Sequence, residues 1–199
     1  MTALSSCVTR TTRAARALLR AGAALALAAT GAAQAAPLAL DAARSEIAFV
    51  SRQMGVPVEG KFRRFSAQLD FDARKPESSR ASLEVDVASI DAGSDEANGE
   101  VVRKAWFNAA QFPKATFASS AIRPLGGGRF ELTGAMSIKG RTRNVTTPLS
   151  VRSAGAAQVF EGSFVLNRND FGIGDGPWND PETVAYEVQV KFRLVANPK

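Results

Sequence analysis

The stretch VAYEVQVKFRLV, residues 184–195, decides the architecture. Val184, Tyr186, Val188, Val190, Phe192 and Leu194 alternate with Glu187, Gln189, Lys191 and Arg193. A strand turns successive side chains to opposite faces, so this run predicts a sheet apolar on one side and polar on the other. The same rhythm recurs upstream. Ile47 and Phe49 begin it, and Phe65, Ala67, Leu69 and Phe71 share a face opposite Ser66, Gln68 and Asp70. Leu83, Val85 and Val87 follow, then Phe130, Leu132, Gly134, Met136 and Ile138, then Val145, Thr147, Leu149 and Val151, then Phe160, Phe164 and Leu166. The segment 114–122 around Phe117 is β-prone, but its small polar residues leave the inward face unset. Turn residues, including Gly126-Gly127-Gly128, Gly140 and Gly155, separate the runs. About eight strands so spaced predict an all-β antiparallel sandwich or barrel.

One segment has a helical pattern. Ser94 suits an N-cap, Asp95 and Glu96 suit the first turn, and Val101, Val102, Ala105 and Trp106 fall on one face. Gly99 weakens this helix and Pro113 forbids its continuation.

Composition narrows the chemistry. The 199 residues suit one domain. There is no His, which removes imidazole bases, Ser-His-Asp catalysis and His-ligated metals. The single Cys, Cys7, permits no intramolecular disulfide and no thiolate cluster. A net charge of +6 invites a nucleic-acid reading. The N-terminus withdraws it. Arg10, Arg13, Arg16 and Arg20 precede an apolar run, 21–33, that ends in Ala33-Gln34-Ala35. A basic region, a short apolar core and a small-x-small site predict a secretory signal peptide over 1–35 and a mature domain over 36–199. Removing 1–35 takes four of the 25 Lys and Arg and none of the 19 Asp and Glu, leaving +2. Cys7 leaves too. The expectation is a periplasmic, soluble protein without a nucleic-acid partner.

Carboxylates cluster at Asp91, Asp95, Glu96 and Glu100, and again at Asp175, Asp180 and Glu182. Neither has calcium-loop spacing, so a helix N-terminus and an exposed loop account for them. No metal, cofactor or paired acid-base centre is expected. Lys139, Arg141 and Arg143 are spaced by two, which on one extended strand places them on one face toward an anion or solvent. Arg168 and Asp170 end a strand in RNDFGIG. There the arginine fork can meet a head group with Asp170 orienting it, or the two can simply close the turn.

Several ordered segments carry a family resemblance: SEIAFVSRQMGVPVEGKFRRFSAQLDFD (45–72), ASIDAG (88–93), WFNAAQFPKATFASS (106–120), LTGAMSIKGRTRNVTTPLSV (132–151) and RNDFGIG (168–174). Together they resemble the YceI-like family of periplasmic lipid- and polyisoprenoid-binding proteins. The resemblance implies a lipocalin-like eight-stranded antiparallel barrel with one short helix, holding a long amphipathic lipid and performing no catalysis. Many relatives carry a His near the position of residues 100–103, and this chain has none there.

Pattern alone leaves an eight-stranded barrel either filled or hollow. If hollow, the expected lumen wall is Phe49, Phe65, Ala67, Leu69, Phe71 and Val85, with Phe117, Leu132, Gly134 and Met136. Phe164, Tyr186 and Val188 complete it, and Trp106 and Phe107 close over it as a lid or simply pack the helix onto the barrel. The expected partner is an isoprenoid or other long-chain lipid, with transient membrane contact or a homodimer open. Two rivals stand beside the carrier: a ligand-free barrel serving protein interaction or stress response, and an enzyme acting on a lipid.

Overall fold

The computed structural model describes residues 37–199. The signal-peptide reading of 1–35 lies outside the described residues. Eleven strands form one antiparallel sheet that closes on itself. They are β1 (Pro37–Leu40), β2 (Glu46–Gln53), β3 (Val56–Phe62), β4 (Phe65–Asp70), β5 (Arg80–Asp86), β6 (Ile90–Asp91), β7 (Lys114–Gly126), β8 (Arg129–Ile138), β9 (Arg141–Ala154), β10 (Ala157–Asn167) and β11 (Glu187–Pro198), with helix α1 (Asp95–Val101) after β6.

Eight staves make the barrel: β1 continues into β2 and β3 into β4, each as one broken stave, and the two-residue β6 extends the β5 stave. β11 pairs with both β1 and β2, β4 pairs back onto β1, and β3 onto β2. The remaining neighbours follow chain order from β4 to β11, with β5 beside β7. The all-β eight-stranded barrel with one helix is therefore what forms.

Both broken staves are repaired by serine. Between β1 and β2, Ser45 Oγ accepts from Val195 N at 2.9 Å and donates to Asp41 O at 2.7 Å. Between β3 and β4, Arg64 N donates to Ser89 Oγ at 2.9 Å. Each hydroxyl satisfies a backbone donor that the ladder abandons at the bend.

Short tight turns join several strands. Met54-Gly55 and Lys139-Gly140 both have positive φ at each residue (47° and 77°; 49° and 73°), the two-residue hairpin that suits twisted strands. Lys139 therefore leaves the strand, so it does not share a face with Arg141 and Arg143. Its side chain is largely covered, 11% exposed, its ammonium bonded to the carbonyls of Ala105 and Gly172 and paired with Asp175 at 3.2 Å.

The helix is shorter than the pattern predicts. α1 is capped by Ser94 Oγ on Ala97 N at 3.2 Å, but ends at Val101. Residues 102–113 turn instead: Phe107 N donates to Val101 O (3.0 Å) and Ala109 N to Val102 O (2.9 Å), outside the helical spacing, and the Ala105 carbonyl accepts from Gly174 N (2.9 Å), Asp175 N (2.8 Å) and Lys139.

The two ends of the barrel differ. At the end holding the 126–128 and 155–156 turns, Phe71 stands edge-on to Phe130 and Phe160, at 5.2 and 5.3 Å, among Leu38, Leu69, Ile122, Leu149 and Leu194. This apolar plug closes that end. The other end gathers α1, the β2–β3 hairpin and the long connection from β10 to β11, and there the interior opens.

Candidate functional site

Above the plug the barrel is hollow. The cavity has a volume of about 930 Å³, toward the upper part of the roughly 300–1,000 Å³ that small-molecule sites occupy. Period-two alternation builds its wall: Ile47, Phe49 and Ser51 from β2, Val85 from β5, Leu132 and Met136 from β8, Phe164 and Leu166 from β10, Val188, Val190 and Phe192 from β11. On β7 a bulge at Ser120 shifts the phase, so that Phe117 and Ile122 both face in. That shift explains why 114–122 read ambiguously.

Three glycines keep the space open. Gly60 lies directly across from Phe49, and Gly162 directly across from Phe192. Gly134 lies diagonally from Phe117. A Cβ at any of the three would sit closer to the neighbouring ring than real Cβ contacts allow. Each phenyl ring thus lies down on bare backbone, lining the wall rather than crossing the lumen.

Of the expected wall, Phe49, Leu69, Phe71, Val85, Phe117, Leu132, Met136, Phe164 and Val188 border the cavity, and Trp106 and Phe107 border it at the open end. Four do not. Phe65 and Ala67 pack into the apolar core. Gly134 is covered by the Phe117 ring. Tyr186 precedes β11, and its hydroxyl donates to Asn179 O at 2.8 Å while its ring lies 5.3 Å from the Arg168 guanidinium. Periodicity gives a strand face but does not show what already fills the space beside it, and Tyr186 lies outside the strand.

Arg168 is the main correction. It is 2% exposed, and its five N–H groups meet five carbonyls. Nε donates to Ala185, Nη1 to Ile173 and Gly174, Nη2 to Trp178 and Val184, at 2.6–3.1 Å. Its planar fork is fully used, so no donor remains for a head group. Asp170 is exposed and not among its partners. Burial pushes the Arg168 pKa down, with Tyr186 and the Asp175 carboxylate opposing the shift, and the Trp106 and Tyr186 rings lie 5.8 and 5.3 Å from the guanidinium. Arg168 ties the 173–185 connection together beside the opening.

The open end supplies Ser51, Gln53, Ser94, Glu96, Glu100 and Arg103 to the cavity's polar lining, and Arg80, Ser82, Thr116, Thr147 and the spent Arg168 supply the rest. Glu100 and Arg103 pair at 3.2 Å. Trp106, tilted 50° against Trp178 with ring centroids 5.4 Å apart, has a buried Nε1 with no acceptor among the described residues. Sequence reading missed Ser51, Gln53, Val58, Phe62 and Trp178, since the β2–β3 hairpin and the 176–179 turn carry no clean alternation. Among the described residues no cluster of three or more potential metal ligands forms.

Comparison with known proteins follows this geometry. Residues 38–196 match the model of the YceI-like domain. The crystal structure of BcnA from Burkholderia cenocepacia is 46% identical, with a TM-score of 0.78 over 79% of this chain and 99% of that one. A polyisoprenoid binding domain from Saccharophagus degradans, implicated in plant cell wall breakdown, shares the fold at 21% identity, with a TM-score of 0.67 over 82% and 99%. A UPF0312 protein of Azotobacter vinelandii is 33% identical over 122 residues, 57% of this chain and 62% of that protein.

Proposed function

The chain belongs to the YceI-like family, and from that premise we propose that it is a non-catalytic carrier or sequestering protein for a long-chain amphipathic lipid such as a polyisoprenoid or isoprenoid quinone. The apolar cavity, closed at one end and open at the other, carries the reading. A hydrocarbon chain descends among Phe49, Phe117, Phe164 and Phe192 toward the Phe71 plug. Each buried methylene contributes about 0.8 kcal/mol before ordering costs, so a long chain binds without strong polar anchors. The head group stays at the open end, where the unpaired Trp106 Nε1 is a donor for a carbonyl, hydroxyl or phosphate oxygen. The polyisoprenoid-binding description of the Saccharophagus relative supports the ligand class. The basic, alanine-rich start of the sequence supports export to the periplasm, where such a lipid would be met between two membranes.

The test is native mass spectrometry of protein purified from its own host, followed by organic extraction. An isoprenoid-type lipid near one per chain is the expected result. Val188→Trp, which fills the cavity from β11, should displace it, while the outward-facing Glu187→Gln should not. Wild-type protein that never carries lipid, from host or added stock, would sink the carrier reading.

A further inference from the structure

The tip of the β2–β3 hairpin departs from what its geometry prefers. A two-residue turn with positive φ at both positions favours Asn-Gly, yet the first position is Met54, at φ 47° and 73% exposed. Val56, the next residue after Gly55, is 62% exposed. A backbone conformation disfavoured by a long side chain, presenting that side chain to water, is a cost without a folding benefit. Three of the four large hydrophobics exposed among the described residues, Met54, Val56 and Val165, lie toward the open end, and only Leu125 lies at the plugged end.

The hairpin is also firmly held and well placed. Met54 N donates to Thr183 O and Ala185 N to Arg52 O, both at 2.9 Å. Ser51, Gln53 and Val58 on the same hairpin border the cavity. The free edge of β3 runs past its neighbour, because β6 pairs only with Lys61 and Phe62. The tip's Met54 and Val56 side chains are thus exposed beside the cavity's opening while its backbone is held by the 183–185 segment.

We propose that this tip is a membrane wedge: Met54 and Val56 enter the interface of a lipid bilayer and seat the cavity mouth on it. The inference rests on the lipid-carrier reading and names the surface from which the lipid is taken. A second copy of the chain is the weaker occupant. Two side chains on a protruding turn offer far less than the roughly 800 Å² per partner of a stable interface, and Pro57 removes a donor from the edge a second strand would need. Charge near the tip is mixed, with Arg52 against Glu59, Asp180 and Glu182, and the far rim sets Arg103 and Lys104 against Asp95 and Glu96. Docking should therefore follow apolar burial rather than anionic lipid or salt.

The experiment is vesicle flotation of the purified protein with phosphatidylcholine alone and with phosphatidylethanolamine plus phosphatidylglycerol. Wild type should float with both, little changed by salt. Met54→Asn combined with Val56→Ser should lower the bound fraction roughly tenfold. Asn suits the turn, so the melting temperature should hold or rise. Leu125→Ser, at the plugged end, should float like wild type. Farnesol added from solution should still bind the double variant. A double variant that floats normally, a wild type that stays in solution, or a wild-type dimer that the double variant splits would each overturn the wedge. Farnesol binding in those cases leaves the carrier reading standing. Normal flotation with no binding of farnesol or host lipid would uphold the wedge and remove the carrier reading alone.

Discussion

Phe49, Phe117 and Phe192 show how single residues set the hollow. Each ring lies on a glycine, so adding one methyl group there must push aromatic rings or backbone. Gly134→Ala and Gly162→Ala should each cost about 1–3 kcal/mol in chemical denaturation, the usual penalty of overpacking. Both should also weaken lipid binding, since the displaced ring moves into the lumen. Arg168 poses the opposite problem, five carbonyls that need its fork. Arg168→Met should cost on the order of 3–5 kcal/mol by leaving buried acceptors unpaired, with Arg168→Lys intermediate because three donors replace five. Neither role was legible beforehand. Alternation tells which way Gly134 faces but not that Phe117 covers it from the next strand. The adjacency of Arg168 and Asp170 suggested a pair, whereas the true partners are backbone groups that only the folded connection assembles.

At the scale of elements, the strands with long clean alternation, β8, β9, β10 and β11, were legible because each has one wet and one dry face. β1 and β3 were not. PLAL is too short to show a period, and VPVEGKF contains Pro57 and has one edge largely free. α1 was legible at its start, where Ser94 caps it, and over-read at its end, where Phe107 N and Ala109 N reach back to Val101 O and Val102 O in turns rather than a further helical turn. β11 matters most, for it alone joins β10 to both halves of the first stave. Deleting residues 194–199 removes the buried Leu194, Val195 and Ala196 together with the β1 pairing. The expected result is loss of cooperative thermal unfolding, because this exceeds the narrow margin by which domains are stable. A truncated chain melting like the full one would refute that role for β11.

For the whole molecule, the count of strands left a sandwich and a closed barrel both open and the family resemblance implied closure, while hollowness was not legible, since it depends on rings and glycines meeting across staves. The lack of His is equally global. Arg44, Arg64 and Arg63 hold the carboxyls of Asp41, Asp86 and Asp91 below the usual aspartate range. A carboxyl depressed in the folded state adds stability above its unfolded value, about 3.9, and that stability is lost as pH falls through the lowered values. Melting temperature should therefore be nearly level between about pH 6 and 8 and decline below about pH 4. A marked step between pH 6 and 8 would contradict this. The pairing of Leu38 with Pro198 has one more consequence. Residues 37 and 199 lie near enough for a short linker to join them, and cutting the 126–128 turn instead would give a circular permutant starting at β8. Such a chain should refold to the same cavity, because a closed ring has no first strand, and the order in which ribosomes make it is a property of the gene alone.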